Sequence, residues 1–561
     1  MSRSLRRALA LALSLCTVTA VGPVIALAEE GNRNSGENEL GALGRIKHIV
    51  VIYEENHSFD NLYGGWEGVN GLARANAAHT TQLAQDGTRY TCLAQNDVNL
   101  AAASSCFANA PFKIDAYIHP TDTTCPLLGK EFSKATGWLN GTGTVGGCTR
   151  DIVHRFYQEQ YQLNGGRQNL YVTGSDAVGL TMGYYDTKAL PIYKYLHSED
   201  HPSYAISDNF FQAAFGGSFL NHQWLIAAAT PVDTDPANTI ATLHLNSITD
   251  ANGMPNNYQL YHALGTVRDG PLTEACPSTV QGRPCGNYAV NTMQPSVQPR
   301  SSFGAVLPTL HGTTIGDRLN AAGVDWAWYA GGWSNAAGLQ DAPGWTNGAG
   351  PTKCLDPRAS TSSAFPLCPD TTFQTHHQPF NYYANYQSGP LRAAHLQDEE
   401  AFLRLARSSG EEQCNLKPVS FVKPLGLENE HPGYTNVSQG SNHLVQLLQL
   451  IENSACAEDT MVVVTYDEFG GSWDHVTPPG QGRKNGPHDA WGPGTRIPAL
   501  IVAPRLRDDF VVDHTQYDTT SILATIEHRF GLKALGTRDA AVKDLSFVFN
   551  AHSPFEESGS D

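Results

Sequence analysis

The chain has 561 residues, 41% hydrophobic and 16% charged, which excludes a wholly disordered or collagen-like protein. Its 36 basic and 54 acidic residues leave a formal charge of −18. So acidic a chain argues against a nucleic-acid or anionic-membrane partner unless positive charge is gathered locally.

Arg3, Arg6 and Arg7 precede an apolar run from Ala8 to Ala28 that ends Ala26-Leu27-Ala28. This is the pattern of a cleaved secretory signal over residues 1–28, and it predicts a secreted or periplasmic protein. An uncleaved anchor is the alternative, although Gly22-Pro23 interrupts the run. Losing a segment with three Arg and no acid takes the charge from −18 to −21. No later segment is apolar enough to span, so no stable membrane insertion is expected.

Eleven cysteines, less Cys16 in that segment, leave an even number in an exported chain, which reads as disulfides. Local pairing would join Cys92–Cys106, Cys125–Cys148, Cys276–Cys285, Cys354–Cys368 and Cys414–Cys456. Residues 29–45 are a polar lead-in and 551–561 a tail. Residues 46–550 read as one domain with loop insertions at about 75–150 and 230–300, rich in Asn, Thr, Gly, Pro and Cys.

Short apolar runs mark the core. In chain order they are Ile49-Val50-Val51-Ile52-Tyr53, the weaker Trp326-Ala327-Trp328-Tyr329, Val419-Ser420-Phe421-Val422, Met461 to Tyr466, and Leu500-Ile501-Val502-Ala503. Continuous rather than alternating apolar runs suit strands buried on both faces. Helices are predicted from Thr314 to Ala322 before Gly323 and from Thr519 to Phe530 before Gly531. Ser441 is expected to cap a third, with Leu444, Val445, Leu447, Leu448 and Ile451 on its apolar face. The alternation predicts an α/β fold, a doubly wound, mostly parallel sheet flanked by helices.

In such sheets ligands bind beyond the carboxyl ends of the strands. Glu54-Glu55-Asn56-His57 follows the first run, Glu430-His431-Pro432 the third, and Asp467-Glu468 with Asp474-His475 the fourth. Carboxylates, an amide and imidazoles suit a divalent cation. Taken singly, each acid reads equally well as a cap or turn residue. Phe215-Gly216-Gly217-Ser218 offers a hydroxyl, but without the G-x-S-x-G elbow Ser218 alone reads as a loop serine.

Together the motifs carry a resemblance. His48-Ile-Val-Val-Ile-Tyr-Glu-Glu-Asn-His-Ser-Phe-Asp-Asn-Leu-Tyr-Gly64 resembles the opening motif of the phosphoesterase family that contains bacterial phospholipase C and the acid phosphatase AcpA. Thr465-Tyr-Asp-Glu-Phe-Gly-Gly-Ser-Trp-Asp-His-Val-Thr-Pro-Pro479 resembles its second signature, and Glu430-His-Pro432 and Gly494-Thr-Arg-Ile-Pro498 look like further family blocks. The resemblance implies an alkaline-phosphatase-like fold, with one divalent metal of unknown identity held by Glu55, Asn56, Asp467, Glu468 and the Ser218 hydroxyl. It implies Ser218 as nucleophile, followed by Asn221-His222, and His154, His377 and His431 as phosphate-contacting catalytic residues, with Asn56 and His376 binding substrate. Were those three histidines cations, activity would fall as pH rises.

The expected function is therefore a secreted phosphomonoesterase, an acid phosphatase working through a phosphoserine on a small phosphate ester. Alternatives are a phospholipase C-type phosphodiesterase acting on phospholipid, and a non-enzymatic exported binding protein.

Overall fold

The computed structural model describes residues 41–95, 105–116, 151–235, 246–247, 249–273 apart from 264 and 266, 286–300, 304–346, 373–432 apart from 411, and 434–555. The signal segment, residues 29–40 of the lead-in, the end of the tail and the pairs Cys125–Cys148, Cys276–Cys285 and Cys354–Cys368 lie outside the described residues. The chain divides into two units, Met1–Arg45 and Ile46–Asp561. The described part of the first is a single turn at Leu43–Arg45.

The second unit is built on an eight-stranded sheet. Its strands are β1 (His48–Glu54), β2 (Tyr204–Ser207), β3 (Trp326–Ala330), β4 (Leu396–Gln397), β5 (Val419–Lys423), β6 (Thr460–Tyr466), β7 (Ala499–Val502) and β8 (Phe510–Asp513). Their order across the sheet is β4-β3-β5-β1-β6-β7-β2-β8. All pairings are parallel except those of β7, which runs antiparallel to both β6 and β2. The mostly parallel α/β sheet matches the predicted fold class. All five apolar runs became strands, and β1, β5 and β6 lie side by side at its centre because Val, Ile and Phe bury both faces there.

Helices cover the sheet. They include α1 (Phe59–Leu62), α2 (Phe156–Leu163), α3 (Ser218–Ala227), α4 (Ile315–Ala322), α5 (Glu399–Ser408), α6 (Val437–Glu452) and α7 (Thr520–Phe530). Thr314 and Asp317 form a capping box on α4, and Gly323 ends it in the left-handed region. α6 begins earlier than predicted: Asn436 accepts from Gln439 N as its cap, and Ser441 lies inside the helix. An Asn at the cap position outcompetes a serine whose hydroxyl instead accepts from Ile192 N. The buried face of α6 carries Val437, Leu444, Leu447, Leu448 and Ile451, a helical stripe set against the core.

The Cys414–Cys456 bond forms as expected, joining residues 42 apart in sequence. Cys92 is also disulfide-bonded, while the Cys106 side chain falls outside the description. Among the described residues no helix is long and apolar enough to cross a membrane.

Candidate active site

Strand register builds the site. β1 and β6 pair from His48↔Thr460 to Glu54↔Tyr466, so the next residues, Glu55 and Asp467, leave the sheet side by side. Asp467 N donates to Glu54 O at 3.1 Å and Asn56 N to Asp467 Oδ1 at 3.0 Å. On the other flank β5 pairs with β1 at Ile52↔Val422, which brings Lys423 to the same edge. Its ammonium donates to Tyr53 O at 2.8 Å and Glu54 O at 3.2 Å, and lies 2.5 Å from Glu55 Oε1. Asn56 sits at φ 63, which Asn tolerates better than most residues. Gly470 lets the second loop close on it, since a Cβ there would meet Asn56 O at 2.1 Å.

Ser218 opens α3, where the unbonded N–H groups of a helix start face the site. Its hydroxyl donates to Glu55 Oε2 at 3.2 Å. The loop before it is pinned to α2, because Glu159 accepts from Gly216 N at 2.5 Å. Gly216 has φ +95, and a Cβ there would strike Phe156 N at 2.6 Å, so this approach needs glycine. Gln212 links the two catalytic-side loops: its amide donates to Glu159 and its oxygen accepts from Phe469 N.

The histidines come from four separate stretches. His377 Nε2 is 3.0 Å from Glu55 Oε1, and its ring stacks on His222 at 5.3 Å. His431 Nε2 is 3.9 Å from Glu55 Oε2, and His154 Nε2 is 3.6 Å from Glu468 Oε1. His154, His222 and His431 each direct Nδ1 at a backbone carbonyl: Ile152 O at 2.6 Å, Ser218 O at 2.7 Å and Pro432 O at 2.7 Å. A carbonyl can only accept, so Nδ1 carries a proton in all three, and it is Nε2 of His154 and His431 that stands near Glu468 and Glu55. His376 is only half-buried, its ring centroid 4.8 Å from that of His377. Ser218, His154, His376, His377 and His431 all line one cavity of about 700 Å³. Glu55, Asn56, Asp467 and Glu468 are buried beside it.

Burial opposes ionisation of Glu55, but Lys423 and then His377 overcome it and hold its carboxyl well below the usual range. Asp467 is pushed well up by burial and by Glu55, and Glu468 by burial and by Asp467. The three acids therefore repel one another, which a cation relieves. Asn56 Oδ1, Asp467 Oδ2 and Glu468 Oε1 are buried without a hydrogen-bond partner, and ligand atoms of Glu55, His222 and His377 lie within 4.8 Å of one another. An amide oxygen, carboxylates and imidazoles fit a divalent metal.

Three sequence expectations need revision. Burial pushes His377 down to about 4 and His431 below its ordinary value, so the free site disfavours the cationic form of both rings. Lys423 is the buried cation instead; the only sequence signal for it is a lysine closing an apolar strand. His57, Asp474 and His475 turn away from the cavity. His57 bonds Asn61 and Glu430 O, while Asp474 and His475 join Asp60 and Arg496 in a buried ion network.

Comparison with known proteins identifies the family of the chain. The model of the Phosphoesterase family matches residues 46–533. Phospholipase C B of Mycobacterium tuberculosis (strain CDC 1551 / Oshkosh) is 24% identical over 548 residues, covering 92% of this chain and 79% of that protein. Phospholipase C A of the same strain is 24% identical over 546 residues, with the same coverage. A protein in the alkaline phosphatase superfamily from Vibrio parahaemolyticus aligns over 41% of this chain and 51% of its own, with 14% identity and a TM-score of 0.20. With strand-end acids, amide and imidazoles gathered at one cavity and the family match spanning the whole sheet, the chain belongs to the Phosphoesterase family and is a phosphoric ester hydrolase.

Proposed function

We propose that this chain is a secreted, metal-dependent phosphomonoesterase in which Ser218 is the nucleophile and a phosphoserine the intermediate. The observation that carries this reading is the Ser218 hydroxyl, at the start of α3, 3.2 Å from Glu55 and opening into the histidine-lined cavity. A divalent cation held by Asn56, Asp467 and Glu468, with Glu55 and Ser218 as the further predicted ligands, would supply Lewis acidity toward the hydroxyl and the phosphoryl oxygens. Ser218 Oγ gives its proton to a facing carboxylate and attacks phosphorus opposite the leaving alcohol. The new P–Oγ bond forms as the ester P–O bond breaks. His154 and His431 present Nε2 to this space, and either, once protonated alongside the bound anion, hands a proton to the departing alkoxide. Water then attacks phosphorus and gives a proton to that imidazole, the P–Oγ bond breaks as the carboxylate returns its proton to Ser218 Oγ, and phosphate leaves. The N–H groups opening α3 are set in place before charge develops on the equatorial oxygens, the arrangement that lowers such barriers most, while Lys423 keeps Glu55 ionised beside them. Secretion rests on the N-terminal signal pattern and the disulfide.

A phospholipase C-type phosphodiesterase is the second reading, favoured by the names of the relatives that span the chain. Both share Ser218. Ser218→Ala is expected to lower kcat by about 10³-fold or more while leaving the circular dichroism spectrum unchanged. Wild-type rates in that variant would remove serine catalysis. Assaying p-nitrophenyl phosphate beside phosphatidylcholine and p-nitrophenylphosphorylcholine decides between the two ester classes, and preferential turnover of the diesters would overturn the monoesterase reading.

A further inference from the structure

On the side of the β1 and β5 strand ends away from the cavity lies another set of ligating groups. Glu399 opens α5, Glu428 sits in the turn after β5, and His443 lies on α6. His443 Nε2 is 2.7 Å from Glu399 Oε1 and 3.9 Å from Glu428 Oε2, and ligand atoms of all three fall within 4.8 Å of one another. The Glu399 and His443 side chains are 5% and 12% exposed, and that of Glu428 is 41% exposed. Two ligands are thus built in, and the third closes from solvent.

A second observation points to a missing positive charge. Glu54 is fully buried, and neither of its carboxylate oxygens has a hydrogen-bond partner. Lys423 does not serve it, because its short contact is with Glu55 and its other bonds go to backbone oxygens. One imidazole faces both Glu399 and Glu428. A groove of about 410 Å³ lined by Glu428, Asn436, Gln439 and His443 leads in from solvent.

We propose that Glu399, Glu428 and His443 form a second divalent-cation site, separate from the phosphate site, that takes a borderline ion such as zinc and clamps α5, the turn after β5 and α6 together. Two carboxylates and one imidazole are a zinc donor set, with water completing the coordination on the groove side. Loading releases the His443 proton, because the metal takes the lone pair that the proton occupies.

The test is zinc stoichiometry of the full chain, stripped with chelator and then dialysed against Zn²⁺. Wild type is expected to hold roughly two equivalents. Glu428→Gln, at a half-exposed position that the fold tolerates, is expected to hold one fewer and to lose part of the zinc-dependent rise in Tm, with turnover of p-nitrophenyl phosphate unchanged. His443→Gln should behave in the same way. Asp467→Asn should lose the other equivalent, and the Asp467→Asn/Glu428→Gln double variant should hold none. Equal zinc counts in wild type and Glu428→Gln would overturn this site whatever happens at Asp467. An Asp467→Asn chain that keeps its zinc would count against the proposed catalytic metal and leave this site standing.

Discussion

Lys423 shows how one side chain sets the state of its neighbours. It is fully buried, and its charge is matched by Glu55 at 2.5 Å and by two backbone carbonyls. A buried pair of this kind contributes modestly to net stability, but removing one partner strands the other. Lys423→Met is therefore expected to destabilise the metal-free protein by about 3–5 kcal/mol, read from denaturant unfolding. Added divalent metal should return part of that loss, because a second cation then faces Glu55. A change below about 1 kcal/mol would show that Glu55 does not depend on this ammonium. The same residue marks a limit of sequence reading. A lysine at the end of Val419-Ser420-Phe421-Val422 reads as a strand leaving the core for solvent; only its pairing with β1 places it inside. Glu55, Asn56, Asp467 and Glu468 were legible because each directly follows a continuous apolar run, so strand identification carries the site with it.

At the scale of elements, two couplings are testable. The Cys414–Cys456 bond ties the segment before β5 to the turn after α6, across a sequence separation of 42. Closing a loop of that size is worth about 4 kcal/mol in the chain-entropy account. Reduction is thus expected to lower Tm clearly, and an unchanged melting curve in reductant would show the bond to be dispensable. On α7, Glu527 is buried beside Asp539, and both accept from Leu535 N. Burial, then the Asp539 charge, raises the Glu527 carboxyl to about 8. Unfolded glutamate titrates near 4.3, so the folded state holds this proton more tightly. That stability is fully present below about pH 4 and is lost as pH rises through about 8. Tm should therefore fall from about pH 4 to about pH 8, and Glu527→Gln should flatten that fall, by roughly 1 kcal/mol or more at its alkaline end. An identical pH profile in the variant would contradict the pairing. Among strands, β2 (Tyr-Ala-Ile-Ser) and β8 (Phe-Val-Val-Asp) escaped the sequence reading because each offers only three apolar residues before a polar one, too short a run to separate from a buried loop segment. β4, with two residues, has no pattern of its own.

For the molecule as a whole, the repelling acids Glu55, Asp467 and Glu468 link metal, stability and activity. Chelation is expected to abolish phosphate-ester turnover and to lower Tm, and divalent metal should restore both, since an ion that binds only the folded chain stabilises it by mass action. Full activity after exhaustive chelation would exclude a metal role at this site. The buried network of Arg496 with Asp60 and Asp474 joins the first signature, the second signature and the Gly494–Pro498 block. Those distant segments are thus held at one place by charge pairing as well as by the sheet.

Local pattern alone was enough to find five of the eight strands of the sheet, the mostly parallel α/β class and the acids and amide that follow those strands. Burial on both faces and the carboxyl-end rule act on contiguous residues, and both can be read along the chain. Register, the reversed direction of β7, the lowered basicity of His377 and His431 and the inward turn of Lys423 were decided only by the folded chain. Each depends on which residues from remote segments exclude water from one another, and hydrogen-bond pairing between strands and the desolvation of charge have no local signature.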